Sequence, residues 1–277
     1  MRPSGREEPR PIEPAEPTGY EDEPREQFQP LSTRNHCQLY HYERASHDLK
    51  NEAGYYQRML TDKCHFVLEL GCGTGCISEF LYSRGFKVFG VDLSDAMLRF
   101  SGVVRHVPMA QMDMRLLGFR QVFDAVIIAQ NTLNLLQSKK TIARCLGEVR
   151  KVLKPEGLLL LHLHLVDEDS PAEETRQLQF SVFDHPEGGK IVKETIKTWV
   201  VEQSLLILEE RYKIRRFDQT HPDINYSHTM SLAFFTKKTW LALLSGSGFS
   251  INSLQHGFTY SSKDEASSTL HIVAQSL

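Results

Sequence analysis

A run of alternating glycines is the feature of this sequence best suited to binding a ligand. Gly71, Gly73 and Gly75 lie in the stretch LELGCGTG at residues 68–75, and glycine lets a backbone turn tightly or lie close to a ligand. A nicotinamide fingerprint would continue with a glycine where Cys76 stands. The spacing therefore favours a nucleoside ligand over a nicotinamide dinucleotide.

A carboxylate follows the glycine run at the distance expected for contact with a nucleoside sugar. Asp92 stands 23 residues after Glu69, at the end of the apolar run of residues 87–91, which is typical of a buried strand. An acidic side chain there can accept hydrogen bonds from both ribose hydroxyls. The alternative is local, with Asp92 capping the helix that follows; Ser94 is also a candidate for that cap.

Short apolar runs that alternate with helical segments predict the elements that hold these residues. The predicted strands are 65–70, 87–91, 107–112, 123–129 and 158–165, and the predicted helices are 48–60, 77–84, 95–100 and 139–153. Such an alternation is typical of a mostly parallel sheet covered on both faces, with right-handed crossovers. Ligands of these sheets lie at the carboxyl ends of the strands.

The pattern changes after residue 175. Runs rich in β-branched and aromatic residues at 179–183, 189–201, 204–217 and 224–235 predict an antiparallel β insertion. A helix at 236–245, with Thr236 as its cap, and two closing strands at 249–254 and 269–274 are predicted to follow.

Five blocks, in the same order, resemble the class I S-adenosylmethionine-dependent methyltransferases. They are VLELGCGTG at 67–75, VFGVDLSDAML at 88–98, Met112-Asp113, FDAVIIAQNTL at 123–133 and LGEVRKVLKPEGL at 146–158. The resemblance covers residues 40–166. It implies an α/β, Rossmann-like fold with a mostly parallel seven-stranded sheet flanked by helices, an antiparallel β insertion after the fifth core strand, and S-adenosylmethionine as the cofactor.

The domain organisation follows from these patterns. Residues 1–30 are rich in proline and acidic residues and predict a disordered tail, because they cannot bury enough apolar surface to offset the loss of entropy on ordering. The predicted methyltransferase domain is 31–277. It comprises a helical lid (31–62), a cofactor-binding core (63–175), the β insertion (176–235) and the closing helix and strands (236–277).

The resemblance implies the cofactor contacts by position. Glu69 is expected to orient the methionine end and Asp92 to hold the ribose hydroxyls. The other expected contacts are Gly71, Cys72 and Gly73 beneath the methionine end and the sulfonium, Leu93 and Met97 on the adenine face, Asp113 at the adenine amino group with a backbone donor from Met112 or Met114, and Gln130 and Asn131 beside the methionine moiety and the acceptor. For Asp113 the alternative is a solvated loop acid.

The resemblance leaves the catalytic group open, because transfer from a sulfonium mainly requires alignment of nucleophile, methyl and sulfur. His162 and His164 alternate along one predicted strand and therefore share a face. Small-molecule relatives often carry an aspartate and an asparagine at these two positions. His164, nearer the carboxyl end, is the candidate general base; a hydrogen-bonded packing role is the alternative.

Aromatic residues outside the core blocks supply the candidate acceptor contacts. Tyr226 and His228, near the last insertion strand, are candidates to bind the acceptor. Tyr42 and Tyr55 are candidates to close the lid over the cofactor, and Tyr42 is also a candidate substrate contact. Plain packing is the alternative for all four.

The predicted function is methyl transfer to nitrogen or oxygen of a small molecule. The later part of the chain resembles, more loosely, sugar-amine, glycine and sarcosine N-methyltransferases. No Asn-Pro-Pro-Tyr-type stretch follows the fourth strand, where QNTL stands at 130–133; this argues against methylation of a flipped base or a glutamine amide. The alternatives are a thiol, metalloid or protein acceptor, and a partner subunit that binds the cofactor without turnover. A homodimer through the β insertion is a further expectation.

Composition argues against other classes. A net charge of −3 argues against a nucleic-acid partner. No apolar stretch reaches the ~18 residues that a membrane span needs. The five cysteines include no CxxC pair, which predicts free thiols, no metal site and a cytoplasmic location.

Overall fold

Two β-sheets and the helices packed on them form the part of the chain that the computed structural model describes. The described residues are 27–46, 49–60, 62, 64–100, 106–166, 176–217, 223–256 and 269–277. The predicted disordered tail lies outside them as far as residue 26. None of the helices in these ranges is both long and apolar enough to cross a membrane.

The elements follow the predicted alternation closely. In chain order the strands are β1 (Gln29–Pro30), β2 (Phe66–Leu70), β3 (Lys87–Asp92), β4 (Met109–Gln111), β5 (Phe123–Ile128), β6 (Leu153–Val166), β7 (Arg176–Asp184), β8 (Lys190–Val200), β9 (Leu205–Arg215), β10 (Ile224–Ala233), β11 (Phe235–Thr236), β12 (Phe249–His256) and β13 (Thr269–Ser276). The α-helices are α1 (Thr33–Ser46), α2 (Leu49–Met59), α3 (Cys76–Tyr82), α4 (Asp95–Leu98), α5 (Lys139–Val152) and α6 (Lys237–Gly246), and 3₁₀ helices cover Thr132–Leu136 and Val201–Gln203.

The main sheet is mostly parallel, which confirms the predicted fold class. Its strand order over the described residues is β12-β13-β6-β5-β2-β3-β4, with β11 beside β6. Strands β2 to β6 run parallel to one another, whereas β13 is antiparallel to both β6 and β12. The carboxyl ends of β2, β3 and β5 therefore lie at one edge of a Rossmann-like α/β sheet.

Helices cover both faces of this sheet because successive side chains of a strand point to opposite faces. On one face, Leu68 of β2 joins a buried cluster that includes Leu146 of α5. On the other face, Val67 joins a cluster that includes Tyr56 of α2 and Leu81 of α3. Burying a leucine-sized side chain contributes ~1.5–3 kcal/mol, so these two layers hold β2 firmly between the helices.

The predicted insertion forms a second sheet with the order β1-β10-β9-β8-β7 in the described residues. Its four long strands are antiparallel. The short β1 runs parallel to β10, with Gln29 opposite Tyr226 and Pro30 opposite Ser227. The predicted tail boundary at residue 30 was therefore too late. Composition could not reveal a pairing partner so distant in the sequence, and an edge strand tolerates proline.

Helix α1 attaches the N-terminal segment to this second sheet through apolar contacts. Leu39 is buried in one cluster with Phe183 of β7, Ile191 of β8 and Tyr212 of β9. The lid therefore packs on the insertion as well as on the main sheet.

A buried group of charges reinforces that contact. Lys193 Nζ lies 2.9 Å from Glu43 Oε2 of α1 and 2.8 Å from Glu210 Oε1 of β9. Burial opposes the charge of Lys193, but the two carboxylates raise its pKa. A buried charge is tolerated only when it is paired, so α1 and the second sheet depend on each other at this point.

A few predicted elements differ from the structure. The lid holds two helices, α1 and α2, where the sequence predicted one. Strand β6 begins directly after α5, and residues 154–157 form an irregular stretch within it, because the pairing with β5 passes from Leu153 opposite Phe123 to Leu158 opposite Ala125 and Glu156 has a φ of 61°. Thr236 caps α6 as predicted, accepting from the Thr239 N–H at 3.3 Å.

Asn134 joins the two sheets. Its side-chain Nδ2 donates to the carbonyl oxygens of His164 in β6 (3.0 Å) and Ala233 in β10 (2.8 Å), and its Oδ1 accepts from the His164 N–H at 3.2 Å. Asn134 is fully buried, so removing its side chain would leave three buried backbone groups without their present partners.

We expect Asn134→Ala to lower the free energy of unfolding by ~3 kcal/mol, because buried backbone groups left without partners cost ~1–3 kcal/mol each. Urea unfolding followed by circular dichroism measures the change. The control is Leu135→Ala, a half-exposed neighbour in the same 3₁₀ helix. Equal stability of the two variants would contradict a joining role for Asn134.

Candidate active site

The glycine run forms a bend whose backbone faces the edge where the strands end. Gly71, Gly73 and Gly75 have φ values of 70°, 55° and 86°, a left-handed region that favours glycine. The N–H groups of Gly71 and Cys72 donate to the Val91 carbonyl of β3 at 2.8 and 3.0 Å. The bend is therefore fixed to the neighbouring strand by its own backbone.

The bend also has no room for side chains at its first glycine. A Cβ on Gly71 would lie 2.2 Å from Cγ2 of Thr132. Cys72 turns away into the core, since its Sγ would lie 2.9 Å from a Cβ on Gly90. Its predicted contribution to a ligand site is therefore limited to its backbone.

Asp92 lies at the end of β3 beside the bend. Its Oδ2 accepts from the Gly73 N–H at 2.8 Å and its Oδ1 from the Ser94 N–H at 2.7 Å. Ser94 is the N-cap of α4, because its hydroxyl accepts from the Met97 N–H at 3.3 Å. The capping role weighed for Asp92 thus belongs to Ser94.

Glu69 is buried at the end of β2, beneath the bend. Its carboxylate accepts a hydrogen bond from the Ser78 hydroxyl of α3. Burial raises the pKa of Glu69 to about 7, against the lowering effect of that hydrogen bond. The carboxyl group can therefore gain or lose a proton near neutral pH.

Tyr40 of α1 lies over the bend, and sequence analysis missed it. A Cβ on Gly73 would lie 3.4 Å from Cε1 of Tyr40. The Tyr40 hydroxyl donates to Gln130 Oε1 at 2.7 Å, and Gln130 Nε2 donates to Glu52 Oε2 at 3.0 Å. Arg44 forms an ion pair with the same Glu52 oxygen. These bonds connect the lid helices to the residues that follow β5.

The sequence analysis also did not identify Arg44 and Glu52 as residues of the site, although the spacing of Arg44 from Tyr40 gave a weak indication. Tyr40 and Arg44 are four residues apart, so they occupy one face of a helix. Burial opposes the charge of Arg44, but the neighbouring Glu52 raises its pKa. The apolar periodicity predicted the helix that contains Glu52. It could not show that Glu52 reaches Gln130, which follows the end of β5.

Gln130 and Asn131 have a backbone conformation that is uncommon for their residue types. Their φ values are 52° and 59°, and such strain concentrates at functional sites. The Asn131 N–H donates to the His162 carbonyl at 3.1 Å. Asn131 Oδ1 and Glu52 Oε1 are buried and accept no hydrogen bond from the described residues. Both oxygens could therefore accept from a bound group.

The side expected to bind adenine is only partly arranged as predicted. Leu93 is 64% exposed, which leaves it available to an aromatic ring. Asp113 forms an ion pair with Arg115, whose hydrogen bonds lower the pKa of Asp113. The Met112 N–H donates to the Asp92 carbonyl at 3.0 Å. Met112 therefore cannot be the predicted backbone donor, because ladder pairing uses its N–H, and Met114 is left for that role.

His164 and His162 lie on one face of β6, as their alternation predicted. The His164 ring stacks on Phe234 at a centroid distance of 5.8 Å, and His162 stacks on His271 of β13 at 4.4 Å. Burial lowers the pKa of His164 to about 4, helped by the charge of Lys197. At neutral pH His164 is therefore uncharged but a weak base.

The aromatic candidates lie away from the bend. Tyr42 packs against the second sheet beside His185, at a ring distance of 5.7 Å. The lid tyrosine over the bend is Tyr40, two residues before Tyr42. Side chains two residues apart in a helix point to nearly opposite sides. Tyr55 is fully buried beneath the sheet, beside His271, and its predicted role over a cofactor was therefore wrong.

The insertion candidates meet the lid instead. Tyr226 borders the apolar cluster around Leu39, and the His228 ring lies 4.7 Å from the His36 ring of α1. Both side chains therefore face α1 from β10 of the second sheet, and a substrate role for them stays a prediction. In the described ranges, no group of three or more His, Cys, Asp or Glu side chains is arranged to hold a metal ion.

These residues fit S-adenosylmethionine, the cofactor implied by the resemblance. The bend is formed by backbone without side chains at its three glycines, with Asp92 and Glu69 at the ends of adjacent strands. The unsatisfied oxygens of Asn131 and Glu52 supply further acceptors beside it.

Comparisons with known proteins agree with this geometry. Residues 67–157 match a family model described as a methyltransferase domain. Putative methyltransferase YqeM of Bacillus subtilis is 43% identical over 103 residues, which are 35% of this chain and 42% of that protein. The chain thus spans less than half the length of the curated relatives it matches.

Solved structures share the fold over most of the chain. CalS10 of Micromonospora echinaspora, described as an amino pentose methyltransferase with SAM bound, has a TM-score of 0.69 at 20% identity and covers 87% of this chain and 96% of its own. DesVI of Streptomyces venezuelae has a TM-score of 0.72 at 17% identity and covers 87% and 98%. Residues 67–157 thus match a methyltransferase domain, and the chain shares the fold of these solved structures over most of its length.

Proposed function

We propose that this chain transfers a methyl group from S-adenosylmethionine to a nitrogen or oxygen of a small molecule. One observation carries the proposal: the backbone of the glycine bend, the Asp92 carboxylate and the Tyr40 ring meet where the parallel strands end. The cofactor would supply the activated methyl group. The residues of the chain would align it with the acceptor and exclude water, which is most of what this chemistry requires.

The proposed cofactor roles follow the strand ends. Glu69 orients the methionine end and Asp92 accepts from the ribose hydroxyls. Leu93 and Met97 border the adenine, and Asp113 reaches its amino group. Gln130 and Asn131 border the methionine moiety, where the free Asn131 oxygen supports that role.

The acceptor is proposed to lie between α1, the carboxyl end of β6 and the second sheet. His164 near Lys197 of β8, and His228 near His36 of α1, support this location because they line the junction of those elements. An acceptor enclosed between a helix and a sheet would be a small molecule and not a macromolecule. The amino pentose named for CalS10 supports the same class. The proposed cellular setting is the cytoplasm, where the five free thiols would persist.

The test is an incubation of the full chain with S-adenosylmethionine carrying a labelled methyl group and a panel of small amines and alcohols, including amino sugars. The proposal expects label in a small product and formation of the demethylated cofactor. Label found only in protein would indicate the alternative acceptor class. Tight cofactor binding without any turnover would indicate a non-catalytic partner subunit.

We expect Asp92→Ala to weaken S-adenosylmethionine binding by ~1–3 kcal/mol, the usual loss when charge-assisted hydrogen bonds are removed. Isothermal titration calorimetry measures it. The matched control is Asp95→Ala, whose carboxylate contacts Arg99 at the surface. An unchanged dissociation constant for Asp92→Ala would rule out its sugar contact.

Cofactor affinity is expected to depend on pH through Glu69. A carboxylate accepts from the methionine ammonium group, whereas a protonated carboxyl does not, and the pKa of Glu69 is about 7. Affinity should therefore fall as the pH decreases from 8 to 6, approaching ~10-fold per pH unit below the pKa. Glu69→Gln should bind more weakly and lose this pH dependence. The same pH profile in wild type and variant would assign the titration to another group.

His164→Ala is expected to lower turnover at least ~10-fold, the low end of what a positioned proton acceptor contributes, without changing the cofactor dissociation constant. Steady-state kinetics and calorimetry separate the two effects. The exposed His106→Ala serves as the control. Wild-type turnover in His164→Ala would leave this ring with a packing role against Phe234.

A further inference from the structure

Strand β7 forms an unprotected edge of the second sheet in the described part of the chain. It pairs with β8 on one side and is last in the strand order. Edge strands are usually short or carry inward charges or prolines that prevent pairing with another chain. Strand β7 has nine residues, and between Arg176 and Asp184 it contains no charged residue and no proline.

The solvent face of β7 is apolar. Leu178, Phe180 and Val182 are 56%, 59% and 60% exposed, and they lie on one face because they alternate along the strand. On β8, Glu194 stands opposite Phe180, so the exposed apolar row belongs to β7 alone. An exposed apolar row of this kind marks an interaction site.

The residue order of β7 suits antiparallel pairing with β7 of a second copy. If a second copy paired antiparallel with Phe180 at the two-fold axis, Arg176 would stand opposite Asp184 of the second copy, and Leu178 opposite Val182 of the second copy. A shift of two residues in this register would break the charge match, whereas Phe180 would still stand opposite Leu178 or Val182 of the second copy. Within the described ranges Arg176 forms no ion pair, and Asp184 forms one with the half-exposed Lys190.

We propose that β7 pairs with β7 of a second copy, so that the second sheets of two chains form one continuous antiparallel sheet. A two-fold interface brings the same surface of both copies together, which is what a self-complementary strand requires. Main-chain hydrogen bonds would supply affinity, and the Arg176–Asp184 contacts would fix the register. The occupant of this edge is therefore another copy of this chain.

The experiment is sedimentation equilibrium of the full chain and its variants. Wild type should be dimeric. Phe180→Asp, which introduces two like charges at the axis, should be monomeric while keeping a cooperative thermal transition. The matched control is Leu254→Asp, an exposed residue of β12 at the edge of the main sheet, which should stay dimeric.

A charge exchange tests the register without touching the apolar residues. Arg176→Asp and Asp184→Arg should each raise the dimer dissociation constant at least ~10-fold, or 1.4 kcal/mol. The double variant, with both charges reversed, should return it close to the wild-type value. A monomeric wild type, a dimer that survives Phe180→Asp, or a double variant no better than the single ones would overturn the proposal.

Discussion

The whole arrangement depends on helix α1 being held between the two sheets. On one side the Tyr40 ring lies at the glycine bend and its hydroxyl binds Gln130. On the other side Glu43 binds Lys193 of the second sheet. Neighbouring side chains of a helix differ in direction by about 100°, so residues 39 and 43 contact one sheet while residues 40 and 44 face the other. The second sheet therefore sets the position of the tyrosine that covers the bend.

The glycine bend is suited to binding a ligand because its surface is formed by backbone and not by side chains. Gly71 meets Thr132 so closely that a methyl group could not be added, and the N–H of Gly73 is turned to Asp92. A ligand lying there would contact peptide groups that burial and strand pairing already hold in place. This explains why few side chains of the chain need to be chemically reactive: in the proposed reaction the cofactor carries the activated group, and the protein contributes alignment.

The parallel core could be predicted from the sequence, whereas the lid contacts could not. Apolar runs, glycines and Asp92 act within one strand–turn–helix unit, so local spacing determines where they lie. The Tyr40–Gln130 hydrogen bond joins residues 90 apart, and the Gln130–Glu52 bond joins residues 78 apart. Such contacts depend on how two elements pack, which no periodicity encodes. The same limit applies to the tyrosines of α1: Tyr40 and Tyr42 both lie on this helix, and only packing decides which one faces the bend.

The charges around the bend favour a cation over a neutral molecule of the same shape. The charges of Arg44 and Glu52 offset each other in their ion pair, which leaves the carboxyl group of Glu69, in its ionised form, and that of Asp92 close to the bend. His162 and His164 add no opposing charge, because burial lowers the pKa of each to about 4. A sulfonium would be stabilised in such surroundings, since charges interact more strongly away from bulk water. The thioether left after transfer would lose that stabilisation, so the same field that holds the proposed methyl donor would also ease release of its product.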